Sequence, residues 1–212
     1  MATPKEKYYE KRGRILVKNL QNRHFEAHYC ATKEEALAKA LELIPEGATI
    51  GWGGCMTAGQ MGLMDALHQG NYNLLDRDLC QTMEEREAMQ RRAFSADFFV
   101  AGANGLSLDG QMVNIDGTGN RVAPVIYGPS NVLIVAGMNK VEDTLEAAMT
   151  RARTVAAPMN KQRFPMPTPC EVTGTCGDCK HEGCICNQIV ITRHCRPAGR
   201  IKFILIGEDL GM

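Results

Sequence analysis

One short run of apolar residues constrains the fold of this 212-residue chain more than any other segment. Residues 131–136 read Asn-Val-Leu-Ile-Val-Ala, with no alternation between apolar and polar side chains. A strand with one exposed face alternates, because successive side chains point to opposite faces of a sheet. A strand that is apolar on both faces belongs in the middle of a sheet that helices cover on both sides. Shorter strand candidates are residues 49–52, 73–75 and 97–101.

Helical segments alternate with these strand candidates, and capping side chains mark where several of them begin. The Thr-x-x-Glu/Gln capping box occurs at Thr32 with Glu35, Thr57 with Gln60 and Thr82 with Glu85, and Asn139 with Glu142 offers a similar start. Alternating strands and helices predict an α/β domain with a largely parallel sheet. Residues 106–115 instead predict an antiparallel hairpin, in which Asp109 and Gly110 form the turn.

The composition changes at Pro158, where a proline-rich stretch begins. Its members are Pro158, Pro165, Pro167 and Pro169. Because proline disrupts helices, this stretch predicts an extended linker without a helix. Two strand-like runs follow, residues 188–192 and 201–206, and both are expected to return to the sheet. The chain is therefore interpreted as one domain, 1–212, with a Pro-rich linker and Cys-rich metal-binding segment at 158–196 and a terminal strand within 197–212.

Six of the nine cysteines fall within 26 residues near the carboxyl end. They are Cys170, Cys176, Cys179, Cys184, Cys186 and Cys195. Crowded thiols in a chain without an export signal indicate metal ligands rather than disulfides. Zinc sites usually bring two Cys-x2-Cys pairs, whereas this segment has one, so an iron–sulfur cluster is favoured over zinc, and redox-active or inert thiols rank last. His181 and His194 flank the cysteines and could replace one thiolate.

Charge and hydropathy indicate where the protein acts. There are 24 basic and 24 acidic side chains, so no net field attracts nucleic acid or an anionic membrane. No apolar run approaches the length of a membrane span, and the amino terminus lacks the apolar core of a secretory signal. The expectation is a soluble cytoplasmic protein without a membrane span or a nucleic-acid partner.

A glycine-rich loop lies between the strand candidate 49–52 and the next helix. Its candidate ligand-binding residues are Gly53, Gly54, Cys55, Met56 and Thr57. Glycines allow a ligand to approach the backbone, and helix starts attract anions, although a tight turn with no ligand explains the loop equally well. A thiol at a helix start is expected to have a lowered pKa, so Cys55 could act as a nucleophile or a redox-sensitive residue.

A second polar loop follows the predicted hairpin. Its candidate ligand-binding residues are Asp116, Gly117, Thr118, Gly119, Asn120 and Arg121. Arg121 offers a bidentate fork for a phosphate or carboxylate, which makes a small anionic ligand the expected partner. The alternative is a structural turn in which Arg121 pairs with Asp116. Because functional residues gather on loops at strand ends, a ligand site is the favoured interpretation.

The second loop also carries a family resemblance. Residues 104–122, Tyr127-Gly-Pro129 and residues 135–140 resemble the LUD domain of lactate-utilisation proteins. The chain is similar to the short, single-domain branch of that family, in which the tail pattern Cys170-x5-Cys176-x2-Cys179-x6-Cys186 also recurs. The resemblance covers most of the chain.

The resemblance implies a Rossmann-like three-layer α/β sandwich, the fold of ribose-5-phosphate isomerase, glucosamine-6-phosphate deaminase and CoA transferases. In those relatives the first β–α loop contributes to the active site, which corresponds here to residues 53–57. Family members often have serine where Cys55 stands. No isomerase signature and no convincing CoA-transferase glutamate is present, so those activities do not transfer. Larger LUD proteins work with iron–sulfur partners in oxidising lactate.

The leading hypothesis is a LUD-domain protein that transfers electrons in the oxidation of lactate or a similar small acid. It would act as an oxidoreductase subunit together with other iron–sulfur redox proteins. Its cluster, a [4Fe-4S] centre, would be held by Cys170, Cys176, Cys179 and Cys186. Cys186 is preferred to Cys184 because of the family pattern alone. One alternative is an isomerase-like or acyl/CoA transferase-like enzyme with structural zinc. Another is a non-catalytic regulatory or assembly subunit.

Overall fold

The computed structural model describes residues 2–164 and 166–212. The strands are β1 (Glu26–Cys30), β2 (Thr49–Trp52), β3 (Asn73–Leu75), β4 (Phe98–Gly102), β5 (Gly105–Ser107), β6 (Met112–Asp116), β7 (Asn131–Gly137), β8 (Val141–Glu142), β9 (Gln188–Thr192) and β10 (Ile201–Ile206). The α-helices are α1 (Pro4–Asn22), α2 (Lys33–Leu43), α3 (Met56–Gln60), α4 (Leu63–Gln69), α5 (Met83–Arg92), α6 (Val122–Tyr127), α7 (Leu145–Arg151), α8 (Ala157–Lys161) and α9 (Pro169–Thr173). None of these helices is both long enough and apolar enough to cross a lipid bilayer.

Six of the strands form a parallel sheet in the order β1–β10–β7–β4–β2–β3. The sheet separates two apolar cores, because alternate side chains of each central strand face opposite sides. On β10, Phe203 and Leu205 pack into the core beneath α1, whereas Ile204 and Ile206 pack into the core beneath α2, α3 and α4. The predicted three-layer α/β sandwich with a mainly parallel sheet is confirmed, and β7 lies inside the sheet as its apolar run requires.

The order of the strands creates a point where connections diverge. β2 and β4 are neighbours, but the chain leaves β2 towards β3 on one side and leaves β4 towards β7 on the other. At such a point the loops that follow the two strands turn away from each other and leave a crevice at the carboxyl edge of the sheet. In open α/β sheets such a crevice is the usual place for a ligand, and here it lies between β2 and β4.

A second, smaller sheet has the order β8–β5–β6–β9. The predicted hairpin is present as the antiparallel pair of β5 and β6. The expectation that residues 188–192 return to the main sheet is wrong, because β9 pairs with β6 instead. The physical reason is exposure: Ile189 and Ile191 are exposed, so β9 suits an edge of a small sheet rather than the doubly covered main sheet. Residues 201–206 do enter the main sheet, between β1 and β7.

The prediction that the proline-rich stretch contains no helix is also wrong, beginning at Pro158. A π-helical stretch, Ala152–Ala156, continues α7 directly into α8, so Pro158 lies inside helical structure. The wider π turn is a place where a residue without an N–H can be accommodated. Pro169 begins α9, a position where its missing N–H costs nothing. Pro165, which the linker prediction also used, lies outside the described residues.

Two side chains that are predicted to cap helices, Thr57 and Asn139, make long-range contacts instead. The N-cap of α3 is Cys55 rather than Thr57, whose hydroxyl bonds to other parts of the chain. Asn139 accepts the backbone N–H of Leu210, while α7 begins later with Thr144 as its N-cap. The predicted capping box is complete at Thr82, whereas at Thr32 the hydroxyl caps α2 but the Glu35 carboxylate accepts the N–H of Ala31 instead of that of Thr32.

Candidate functional site

A groove of about 980 Å³ lies at the carboxyl edge of the main sheet. It is lined by residues that follow β2, β3, β4 and β7, where the strand order leaves its crevice. Both polar loops that the sequence singled out contribute to it. The lining residues from these loops are Gly53, Gly54, Cys55, Met56, Asp116, Gly117, Thr118, Gly119, Asn120 and Arg121. Thr57 is fully buried behind the wall.

The two polar loops pack directly against each other. A Cβ atom placed on Gly53 would lie 2.6 Å from Cγ of Arg121, so the aliphatic part of the arginine occupies the space that a side chain would need. Glycine at this position is therefore required by packing rather than by an unusual backbone angle. The contact joins the loop after β2 to the loop after β6 across the groove.

Arg121 is a structural residue of the second loop. Its Nε donates to Oδ1 of Asp116 at 2.9 Å, and its Nη2 donates to Oδ1 of Asn104 and to the carbonyl of Ile115. Oδ2 of Asp116 accepts the backbone N–H groups of Arg121 and Val122. Both partners of the ion pair are about nine-tenths buried. The turn with an internal Asp116–Arg121 pair, the alternative interpretation of this loop, describes the observed geometry.

Cys55 does not have the environment expected of a reactive thiol. Burial raises the pKa of Cys55, although the nearby Lys140 opposes that effect. The helix behind it, α3, has only five residues, and the sulfur packs against Gly102 at the end of β4, where an added Cβ would lie 3.1 Å away. The expected lowered pKa is therefore wrong, because removal from water outweighs the helix start.

Arg77, which sequence reasoning missed, lies over the glycine-rich loop. A Cβ added to Gly54 would be 3.6 Å from Nη2 of Arg77, and the arginine side chain is 12% exposed. Its Nε is buried and has no hydrogen-bond partner in the described residues; Asp78, at 3.9 Å, is too distant for a hydrogen bond. Burial also lowers the pKa of Arg77. The one available signal is its position just after a parallel strand, β3.

Lys140 is the second groove residue that the sequence analysis did not select. It follows β7 and is 4% exposed. Its Nζ donates to Oγ1 of Thr57 at 3.0 Å, and the Thr57 hydroxyl donates to the carbonyl of Leu210 at 3.4 Å. Burial lowers the pKa of Lys140 to about 8, against an ordinary value of 10.5. About half of this amine is therefore neutral near pH 8.

The ionic side chains that line the groove give it a positive balance. Six are basic and four are acidic, whereas the whole chain is neutral. The basic residues are Arg77, Arg86, Arg91, Arg121, Lys140 and Arg163, and the acidic ones are Asp76, Asp78, Glu87 and Asp116. A concave surface with excess positive charge concentrates small anions.

Five of the six clustered cysteines line one separate cavity of about 170 Å³. They are Cys170, Cys176, Cys179, Cys184 and Cys186. Cys170 lies on α9, which Thr168 caps by accepting the N–H of Glu171, and the other four follow in the loop before β9. The four predicted metal ligands and their alternative, Cys184, therefore share a cavity although up to 16 positions separate them.

The cysteine loop is tied to the rest of the domain by polar contacts. Lys161 is fully buried and donates from Nζ to the carbonyl of Gly183 at 3.0 Å. Asn187 donates from its backbone N–H to the carbonyl of Asp116 and from Nδ2 to the carbonyl of Gly117. The loop is thus anchored to the same turn that lines the groove.

Burial and neighbouring thiols raise the pKa of Cys184 and Cys186. Burial is the largest cause for Cys186, followed by the neighbouring Cys184, Cys170 and Cys176, and together they raise the pKa of Cys186 to about 12. Burial also raises the pKa of Cys184, with Cys179 beside it. Deprotonation of these sulfurs is therefore unfavourable unless a cation shares the cavity with them.

Three other predicted candidates lie outside the wall of this cavity as the structure describes it. Cys195 is buried elsewhere, where its sulfur accepts the N–H of Ile201 at 3.2 Å. His194 packs edge-on against His24, and Nδ1 of His181 accepts the N–H of Gly183. The cluster of six cysteines in the sequence is thus a cluster of five in space.

The cavity and the groove share part of their walls. Ile115 and Ile185 line both of them. Ile185 lies between Cys184 and Cys186 in the chain, and Ile115 precedes Asp116. These two isoleucines therefore form a wall that the thiol-lined cavity and the basic groove have in common.

Comparison with solved structures agrees with the fold. The chain is similar to a DUF162 family protein from Deinococcus radiodurans, with 12% identity, a TM-score of 0.52, and coverage of 93% of this chain and 97% of that one. It also matches ribose 5-phosphate isomerase A from Neisseria gonorrhoeae, with 19% identity, a TM-score of 0.34, and coverage of 53% of this chain and 54% of that one. A third match is ribose 5-phosphate isomerase from Plasmodium falciparum, with 16% identity, a TM-score of 0.32, and coverage of 52% of each chain. At these identities the first similarity shows the fold alone.

No functionally curated protein is significantly similar to this chain in sequence. The family model of the LUD domain matches residues 14–206. The match runs from α1 to the end of β10 and so includes the main sheet, the groove and the cysteine loop. The chain therefore belongs to the LUD domain family.

Proposed function

We propose that this LUD-domain protein binds an iron–sulfur cluster, of the [4Fe-4S] type, and transfers electrons in the oxidation of lactate or a similar small acid bound in the basic groove. Cys170, Cys176, Cys179 and Cys186 would hold the cluster, and Cys184 is the alternative to Cys186. When bound, such a cluster accepts and donates single electrons.

The observation that carries the proposal is the convergence of the thiols on one cavity. Five cysteines, spread from residue 170 to residue 186, line about 170 Å³ of space. Burial, followed by neighbouring thiols, raises the pKa of Cys184 and Cys186, so metal-free thiolates are unfavourable there. A bound metal centre would remove that penalty, because metals bind the deprotonated sulfur.

The spacing of the cysteines favours a cluster over a single zinc ion, because zinc sites usually bring two Cys-x2-Cys pairs and this segment has one, Cys176 and Cys179. Residues 2–164 and 166–212 contain no group of three or more His, Cys, Asp or Glu side chains already arranged to hold a metal ion, so the sulfurs would have to move closer together to bind either centre. In a cubane cluster each thiolate binds a different iron, so the sulfurs surround a volume rather than a point.

The remaining walls of the cavity suit a cluster that carries negative charge. Ile115, Ile185 and Ala157 form an apolar side, and Lys161 contributes positive charge, whereas the charge of Arg153 is paired with Asp178, which also lines the cavity. Apolar walls and nearby cations are the features by which proteins adjust the potential of a metal centre. Lys161 also fixes the loop through its bond to Gly183.

The groove supplies the second half of the proposal, a binding position for a carboxylate. Arg77 has a buried Nε without a hydrogen-bond partner in the described residues, and it lies against Gly54. Arginine binds carboxylates through paired N–H groups. The shared wall of Ile115 and Ile185 would bring an acid in the groove close to the sulfurs.

Electron paramagnetic resonance tests the proposal. The protein is reconstituted anaerobically with ferrous iron and sulfide, reduced with dithionite and compared with two serine variants. The wild type should give the paramagnetic signal of a reduced cluster; Cys176→Ser should weaken or abolish it. Cys195→Ser is the matched control and should retain the signal, because its sulfur lies outside the cavity. Equal spectra for both variants, or zinc as the metal that copurifies, would contradict the proposal.

A further inference from the structure

We propose that the amine of Lys140 forms a reversible imine with a small 2-oxo acid bound in the groove. The inference goes beyond the proposed redox function: it requires no cluster and can be tested on metal-free protein. The two proposals are connected because the oxidation of a 2-hydroxy acid, such as lactate, yields a 2-oxo acid.

Lys140 has the position of a reacting group. It lines the groove at the carboxyl end of β7, a central strand, and it is 4% exposed. Its Nζ donates one hydrogen bond, to Oγ1 of Thr57 at 3.0 Å. Because the Thr57 hydroxyl donates its own proton to Leu210, the threonine oxygen accepts from the amine and leaves the nitrogen lone pair available. The amine is therefore held in place by a hydrogen bond that it donates, and its lone pair is free to attack a carbonyl carbon.

The groups that face Lys140 do not neutralise its charge by pairing. In the described part of the chain, the side chains whose charge affects the pKa of Lys140 are Cys55, Arg151 and Arg121, and none of them is a carboxylate. Burial of the side chain is the main effect that disfavours the ammonium form, and the two arginines add to it. The thiol of Cys55 is itself kept protonated by burial, so it does not supply a permanent negative partner. Buried lysines in such surroundings are the ones that serve as nucleophiles.

The reaction balances without a further reactant. The neutral amine attacks the carbonyl carbon, a C–N bond forms, and the two protons of the amine leave with the carbonyl oxygen as water. No electrons are exchanged, and water reverses the step. An imine at C2 would hold the 2-oxo acid in the groove, and protonation of the imine nitrogen would make that carbon more electrophilic than the parent carbonyl.

The substrate class follows from the charge around the amine. A carboxylate beside the carbonyl would be attracted by the positive balance of the groove and by Arg77, whose Nε has no hydrogen-bond partner among the described residues. A simple aldehyde or ketone would lack that attraction. A small 2-oxo acid combines the electrophilic carbon with the anion that these residues can hold.

Reductive trapping tests the inference. Metal-free protein is incubated with pyruvate and cyanoborohydride, and the adduct is located by peptide mass spectrometry. We expect one reduced adduct per chain, on Lys140, at least tenfold more abundant than on any other lysine. Lys161, which is equally buried but bonded to Gly183 away from the groove, is the internal control and should remain unmodified. Lys140→Arg, which keeps the charge but removes the nucleophilic amine, should lose the adduct.

Adducts spread over exposed lysines with none on Lys140 would overturn the inference, as would equal labelling of Lys140→Arg. If that variant fails to fold, the peptide map of the wild type decides alone. If protein purified without oxygen contains iron and sulfide but its metal-free form gives no adduct, the imine is refuted and the redox proposal stands. A chain that gives the adduct but never holds a cluster would do the reverse.

Discussion

Lys140 and Arg77 carry unusual chemistry because the fold removes them from water. Neither is distinctive in the sequence: each is a single basic residue a few positions after a strand. Their character depends on neighbours from distant parts of the chain, such as Thr57 and Leu210 for Lys140 and Gly54 for Arg77. Sequence reasoning selected the loops around them but could not identify these side chains, because burial is a property of the assembled molecule.

The lowered pKa of Lys140 predicts how stability changes with pH. In the folded protein this pKa is about 8, and its ordinary value is 10.5, so between these values the unfolded chain binds more protons. The free energy of unfolding should therefore rise with pH in that window. Relative to Lys140→Met, the wild type should gain about 1 kcal/mol between pH 7 and pH 9.

Urea unfolding of both proteins at several pH values measures this difference. The loss of the bond to Thr57 adds an offset that does not vary with pH, and other titrating groups cancel in the comparison. Parallel pH profiles for wild type and variant would show that Lys140 has an ordinary pKa.

Arg77 should dominate the recognition of anions in the groove. A hydrogen bond to a charged group contributes about 1.5–3 kcal/mol, so Arg77→Met should weaken lactate or pyruvate binding by roughly tenfold or more. Arg14→Met, which removes the same charge from the exposed surface of α1, is the control and should bind normally. Isothermal titration calorimetry gives both constants. Equal affinities in the two variants would remove Arg77 from the site.

At the scale of helices and strands, a local pattern predicts its element where no distant residue competes for the same side chain. The apolar run of β7 and the capping box at Thr82 are confirmed, because each depends on residues close together in the chain. The predicted cap at Thr57 is wrong, since its hydroxyl bonds to Lys140 and Leu210 instead. α1 was missed, although Thr3 and Glu6 form the same capping box as Thr82 and Glu85.

The glycine-rich loop between β2 and α3 provides a test at this scale. Gly53→Ala would bring Cβ to 2.6 Å from Arg121, so it should destabilise the protein by about 1–3 kcal/mol. Gly59→Ala, in α3, meets nothing within 4 Å and should be neutral or stabilise by up to about 1 kcal/mol. Chemical denaturation distinguishes the two variants. A harmless Gly53→Ala would mean that the two polar loops are not packed as described.

At the scale of the whole molecule, the fold brings a thiol-lined cavity and a basic groove to opposite sides of two isoleucines. The crowding of cysteines in the sequence predicted a shared location for the thiols. It could not predict that Cys195 would be excluded, because that depends on where the chain turns before β10. Nor could it predict the shared wall, which requires β6, the polar loop after it and the cysteine loop to meet in space.

The central claim, an iron–sulfur cluster in the cysteine cavity, is tested most directly by assaying iron and acid-labile sulfide in protein purified without oxygen. The account predicts a brown protein that contains both elements in equal amounts, and predicts that they persist in Cys195→Ser. Colourless wild-type protein that contains neither iron nor sulfide would contradict it.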